Sequence, residues 1–243
     1  MNLTKHPRLL ARVAGVFYLA LIVSAMWSYR YVRGELIVGG DMTKTVANIV
    51  AHQQLYRMGI SAAVVTMLCD TAMGALLYQL LKLVSPRLAA LAFAFFAISV
   101  AVEAVDIFNY IAPLFTVTLP EYRAAFSPTQ LQALVRGSVQ VWVYGLGVAL
   151  AFFGAYCLLA GYLIFRSKFL PSIFGVLMMV AGVYYLTDNF SMFLKLPAIP
   201  FIGMLHPTLV IECALALWLV LFGVNEAKWR EWTQAMEADG TGL

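Results

Sequence analysis

The sequence predicts an all-α polytopic membrane protein, a bundle of six transmembrane helices with short interfacial helices attached. Three observations predict it. Of the 243 residues, 63% are hydrophobic. Charged residues make up 12%, about half of the ~25% usual in soluble domains, so a water-facing surface of this size could not be covered. Six apolar runs also reach the roughly 20 residues that a spanning helix needs. Only helices satisfy their own backbone in lipid at such lengths.

The first run, 9–29, follows a basic start (Lys5, Arg8, Arg12), and Tyr18, Trp27 and Tyr29 suit a membrane–water belt. "VSA" at 23–25 also resembles a cleavage site, which leaves a signal peptide as an alternative. Asp41 then precedes an amphipathic stretch (Met42, Val46, Ile49, Val50) suited to the membrane surface. The runs 56–81 and 88–115 follow. Ser127-Pro128-Thr129-Gln130 combines a Ser N-cap, Pro at N1 and Gln at N3, the mark of a helix start. It leads to runs 137–165, 170–194 and 201–224. Residues 1–225 read as one six-helix transmembrane domain. In 226–243, Trp229, Trp232 and Met236 share a helical face, which predicts an interfacial helix before a disordered "ADGTGL" tail.

With the N-terminus inside, the inner segments carry nine of the 16 Lys and Arg although they are the shorter set. That bias predicts that both termini are cytoplasmic. The basic residues sit at the ends of apolar runs, so they read as membrane anchors and not as a nucleic-acid footprint. Cys69, Cys157 and Cys213 lie in apolar segments without CxxC spacing and predict neither disulfide nor zinc site.

Membrane helices pack through small residues, because lipid gives no hydrophobic reward for burying large ones. Stripes at spacings of three and four therefore mark the protein-facing sides. They are Gly59, Ala63, Thr66, Asp70 and Gly74; Ser99, Glu103, Asp106 and Tyr110; Gln140, Tyr144, Gly147, Ala151, Gly154 and Gly161; and Gly175, Gly182 and Asn189. The polar groups continue these stripes and should point inward. The candidate intramembrane pocket is Glu103, Asp106, Asn109, Gln140, Tyr144, Asp188, His206, Glu212 and Asp70, biased toward the outer face.

Five of these residues are acids, and within the spans only His206 could oppose them. Arg57 and Arg136 lie near the outer ends, and such side chains snorkel toward the headgroups. An Asp at the bilayer centre costs roughly 2.5–3.5 kcal/mol on the mildest scale. The acids must therefore be neutralised by protons or by a cation. Glu103 and Asp106, three residues apart in "VEAVDIFNY", should lie about 5–6 Å apart at Cβ and titrate as a coupled pair. Beside this stands a plainer reading, in which the buried acids only hydrogen-bond across helices and fix their register. No span carries a central lysine, and HExxH, GxSxG and P-loop motifs are absent. The residues therefore name no cofactor and no catalytic group.

Five stretches carry a family resemblance: "RVAGVFYLALIV" (12–23), "RGELIVGGD" (33–41), "YRMGISAAVVTMLCDTAMGALLYQLLK" (56–82), "AAFSPTQLQAL" (124–134) and "GYLIFRSKFLPSIFGVL" (161–177). Together they resemble a bacterial family of polytopic membrane proteins known as a domain of unknown function, DUF4386. The resemblance implies a multi-helix bacterial membrane protein, hence one of the inner membrane, and carries no activity to transfer. Three functional classes remain open. One is binding or transport of a proton, metal ion or organic cation by an acid-lined pocket. A second is a metal-dependent intramembrane hydrolase using His206 with Glu103, Asp106 or Asp188. The third is an accessory or structural membrane protein. The lipid bilayer is the one partner the sequence names; protein partners stay unknown.

Overall fold

The computed structural model describes residues 6–197 and 207–238. The regular structure among them is helical. α1 (Pro7–Ala25) continues through a π-helical segment (Met26–Val32) into the single turn α2 (Arg33–Leu36). Next come α3 (Met42–Ala51), α4 (Gln53–Leu81), α5 (Pro86–Thr118), the short α6 (Pro120–Ala125), α7 (Pro128–Ser167), α8 (Ser172–Phe193), α9 (Pro207–Leu221) and α10 (Glu226–Ala238). Among the described residues, five helices are long and apolar enough to cross a membrane: Pro7–Leu36, α4, α5, α7 and α8. The sixth expected run appears as the 15-residue α9; its residues 201–206 lie outside the described part. α9 and α10 meet at an 87° bend and pass the same test as a pair, which makes a sixth span if they count as one.

The burial pattern suits lipid. On α5, Val105 and Phe108 are 69% exposed, while Asp106 between them is 7% exposed. In water that arrangement would forfeit hydrophobic burial and cost desolvation together. In hydrocarbon the apolar face meets its own kind and the carboxyl is kept from it.

Local signals place several helix ends. Asp41 caps α3, its Oδ1 accepting from the Lys44 amide at 3.0 Å. At the start of α7 the Ser127 amide donates to Gln130 Oε1 (2.8 Å) and the Gln130 amide to Ser127 Oγ (3.4 Å). α7 thus begins at Pro128, ahead of the apolar run, and its 40 residues extend ~60 Å at 1.5 Å per residue. That is about twice a ~30 Å hydrocarbon core, so its ends project beyond the hydrocarbon.

Contacts divide the chain into two compact units. Among the described residues, the first holds those up to Leu19, Cys69–Val100 and those from Ala149 onward; the second holds Ala20–Leu68 and Ala101–Val148. In the first unit, α7 and α8 meet backbone to backbone. A Cβ added at Gly161 would stand 2.7 Å from the Gly175 carbonyl oxygen, and one at Gly182 would stand 2.7 Å from that of Gly154. These glycines are the predicted small-residue stripes. The Phe96 ring lies tilted beside Tyr156 (4.8 Å), and Phe153 meets Tyr185 edge to face (5.3 Å). α9 ends at Leu221, two residues before Gly223, whose φ of +68° is a left-handed position that glycine adopts without a Cβ penalty. Beyond it Asn225 donates its amide to the Phe169 carbonyl (2.9 Å), and Trp229 packs on the Phe169 ring (5.0 Å). The Met236 side chain and the tail beyond Ala238 lie outside the described residues.

Two residues expected in an interfacial belt turn inward instead. Tyr18 is 1% exposed and hydrogen-bonds Glu212. Tyr29 hydrogen-bonds Glu103. A phenol can serve the headgroup boundary or a buried carboxylate, and here the carboxylate has it.

Candidate functional site

The π-helical segment shapes the second unit. The Arg33 amide donates to the Ser28 carbonyl, five residues back, so the turn is wider than an α-turn. Ser28 is buried and donates its hydroxyl to the Gly59 carbonyl on α4 at 2.7 Å. Tyr29 and Arg33 are thereby both directed at Trp142 on α7. The Tyr29 ring lies 5.4 Å from it, and the Arg33 guanidinium lies 4.0 Å above its face. Tyr110 on α5 completes the cluster, 5.8 Å from Trp142 and 6.2 Å from Tyr29. Pro113, inside α5, supplies no amide to the helix. One turn before it, the Tyr110 carbonyl accepts the Tyr56 hydroxyl at 2.7 Å.

The two acids of "VEAVDIFNY" sit against this cluster. Glu103 Oε1 accepts the Tyr29 hydroxyl at 2.6 Å. Asp106 Oδ1 accepts the Asn109 amide at 2.8 Å. Asp106 Oδ2 is buried with no hydrogen-bond partner of good geometry, although the Leu146 backbone amide is within electrostatic reach. The Asp106 carboxyl packs directly on Gly145 of α7, where any Cβ would overlap it. Ion pairs among the described residues join Arg8 to Glu226 and Lys44 to Asp41, and neither Glu103 nor Asp106 takes part in one. Arg33, the basic side chain at this cluster, is stacked on Trp142 instead.

Beside the cluster opens a cavity of about 490 Å3. Tyr29, Arg30, Arg33, Arg136, Gln140 and Tyr144 line it together with apolar side chains, and none of its lining residues is acidic. The acid-lined pocket expected from the sequence is not this cavity, whose walls are basic.

The nine candidate residues are distributed as follows. Glu103, Asp106 and Asn109 stand together on α5, and Gln140 and Tyr144 line the cavity. Gln140 is exposed there, although its stripe predicts an inward position. Asp70, Asp188 and Glu212 belong to the first unit. Glu212 is buried and satisfied: Tyr185 donates to it at 2.6 Å, Thr208 donates in turn to Tyr185 at 3.0 Å, and Tyr18 bonds it as well. Asp70 and Asp188 are half-buried. His206 lies outside the described residues. Among the described residues no group of three or more His, Cys, Asp or Glu is placed to hold a metal ion.

Sequence reasoning passed over Arg33, Trp142 and Gly145. Arg33 lies four residues past Tyr29, the end of the first apolar run, and nothing in the pattern joins it to the site. Nothing local marks Gly145, whose role lies in a contact between two helices.

These features define a multi-pass helical membrane protein that keeps carboxylates inside and apolar side chains outside. The family described as a domain of unknown function, DUF4386, matches residues 13–223, and the chain belongs to it. No curated protein and no solved structure matches the chain.

Proposed function

We propose that the protein is an intramembrane cation-binding protein whose Glu103–Asp106 pair takes up a proton or a small monovalent cation. The observation that carries this reading is the Asp106 Oδ2 atom, buried without a hydrogen-bond partner, on an acid that no cationic side chain meets among the described residues. An unsatisfied buried polar atom costs about 1–3 kcal/mol, and an uncompensated carboxylate within hydrocarbon costs more. A cation at Oδ2 removes both penalties, and a proton there removes the charge. The metal-hydrolase alternative draws no support from the described residues, which hold no cluster of metal-ligand type. A second reading has its own observation. Glu212 is fully engaged by Tyr185 and Tyr18, so that acid acts as a structural tie between helices. The protein sits in the cell membrane with both termini on the cytoplasmic side, a placement supported by the distribution of Lys and Arg.

The test is difference infrared spectroscopy of the full chain in lipid nanodiscs. Carbonyl bands of protonated carboxylic acids are followed across a pH series and a sodium titration. The expected result is a band that responds to pH or sodium and loses a component in both Glu103→Gln and Asp106→Asn. Spectra that are the same in both variants and insensitive to sodium would overturn the reading.

A further inference from the structure

The cavity beside Trp142 has a chemistry opposite to that of the acid pair. Arg30, Arg33 and Arg136 wall it, and no carboxylate among its lining residues balances them. Their guanidinium groups enter no ion pair among the described residues. Arg33 is the informative one. It is half-buried and its charge rests over the Trp142 ring at 4.0 Å, which holds the guanidinium in place and leaves N–H donors for another partner. A guanidinium held in this way presents the fork that oxyanions accept. Gln140, exposed on the same wall, adds an uncharged amide donor. Ile37, Val139 and Val143 make the rest of the wall apolar. The volume of about 490 Å3 lies within the 300–1,000 Å3 typical of small-molecule sites.

We infer that this cavity binds a phosphate oxyanion, carried by a phospholipid headgroup or by a soluble phosphate. Three guanidinium groups exceed what one carboxylate neutralises. A phosphate monoester brings a charge of about −1.5 to −2 and three acceptor oxygens; the diester of a phospholipid headgroup brings less of both but is still anionic. The apolar wall suits the glycerol or acyl part beside it. This inference goes beyond the cation reading and differs from it in sign and in residues, except that Tyr29 touches both. The two stand or fall in different experiments.

The test uses the purified full chain in detergent. Retention of phosphatidylglycerol against phosphatidylcholine is read by native mass spectrometry, and binding of inorganic phosphate and glycerol 3-phosphate by calorimetry. The expected result is saturable binding of at least one anionic probe. Arg136→Gln, at an exposed position, and Arg33→Lys, which keeps charge and loses the fork, should each weaken it about ten-fold, as loss of one charge-assisted bond implies. Arg57→Gln, exposed and away from the cavity wall, should change nothing. Retained phosphatidylglycerol without heat from the soluble phosphates assigns the headgroup; the reverse assigns the soluble anion. Failure of every probe to bind the unaltered chain, or unchanged binding in both Arg136→Gln and Arg33→Lys, overturns the inference.

Discussion

Asp106 is held by what surrounds it on two helices. Its own helix supplies Asn109 to one oxygen, and α7 supplies Gly145, whose missing side chain is the space that the carboxyl fills. Gly145→Ala therefore forces the carboxyl to move, or α5 and α7 to part. Overpacking of this kind costs about 1–3 kcal/mol, and the unfolding midpoint in detergent should fall accordingly. The same substitution in an Asp106→Ala background should cost much less, because the clashing group has gone. A double-mutant cycle reads that difference as a coupling energy, and contacting residues give roughly 0.5–3 kcal/mol. Additive losses in the two variants would show that carboxyl and glycine do not touch. The sequence shows the spacing of Glu103 and Asp106 but not this neighbour, because nothing about position 145 alone distinguishes it from the other glycines of α7.

At the scale of the helices, what was legible was whatever is local. The capping groups at Asp41 and Ser127 start α3 and α7 as their chemistry requires. The repeats Gly154/Gly161 and Gly175/Gly182 become the α7–α8 seam because helical periodicity alone puts small residues on one side. A clear expectation attaches to that seam. Gly161→Val places a branched side chain where the Gly175 carbonyl and Met179 already lie, so it should separate the helices and lower the unfolding midpoint markedly. Gly137→Val, on the same helix with nothing within 4 Å of its Cβ position, should cost nothing, because Val is the better helix former of the two. Equal effects in the two variants would argue against the seam. What was not legible depends on register. A helical wheel of constant pitch carries Tyr29 to a membrane belt and leaves Arg33 outside any site. The π turn at Met26–Val32 breaks that pitch and directs both at Trp142. Tyr18 was misplaced for a different reason: its hydroxyl pairs with Glu212, and pairing between distant segments leaves no periodic trace.

For the whole molecule, the consequence is a question of linkage between charges of opposite sign. Tyr29 donates its hydroxyl to Glu103 and lines the arginine-walled cavity, so the acid stands directly behind one wall of the proposed anion site. Asp106 lies on the same helix as Glu103, and Arg33 is the cation nearest the shared cluster. An ionised Glu103 repels an anion in the cavity, and a neutral one does not. Reciprocity then requires that an occupied cavity favour the neutral acid by the same factor. Glu103→Gln fixes the neutral form without any change of pH, which avoids the titration of phosphate itself. In mildly alkaline buffer it should raise the affinity for inorganic phosphate, or for phosphatidylglycerol if that is the occupant, by about five-fold or more, the lower end of typical coupling between sites. Glu121→Gln, on the exposed face of α6, should leave affinity unchanged and so control for net charge. Tyr29→Phe removes the hydroxyl between acid and cavity and should diminish the gain that Glu103→Gln produces. Identical affinities for the unaltered chain and Glu103→Gln would show that the acid and the arginines act independently, with Tyr29 serving only to satisfy a buried carboxyl.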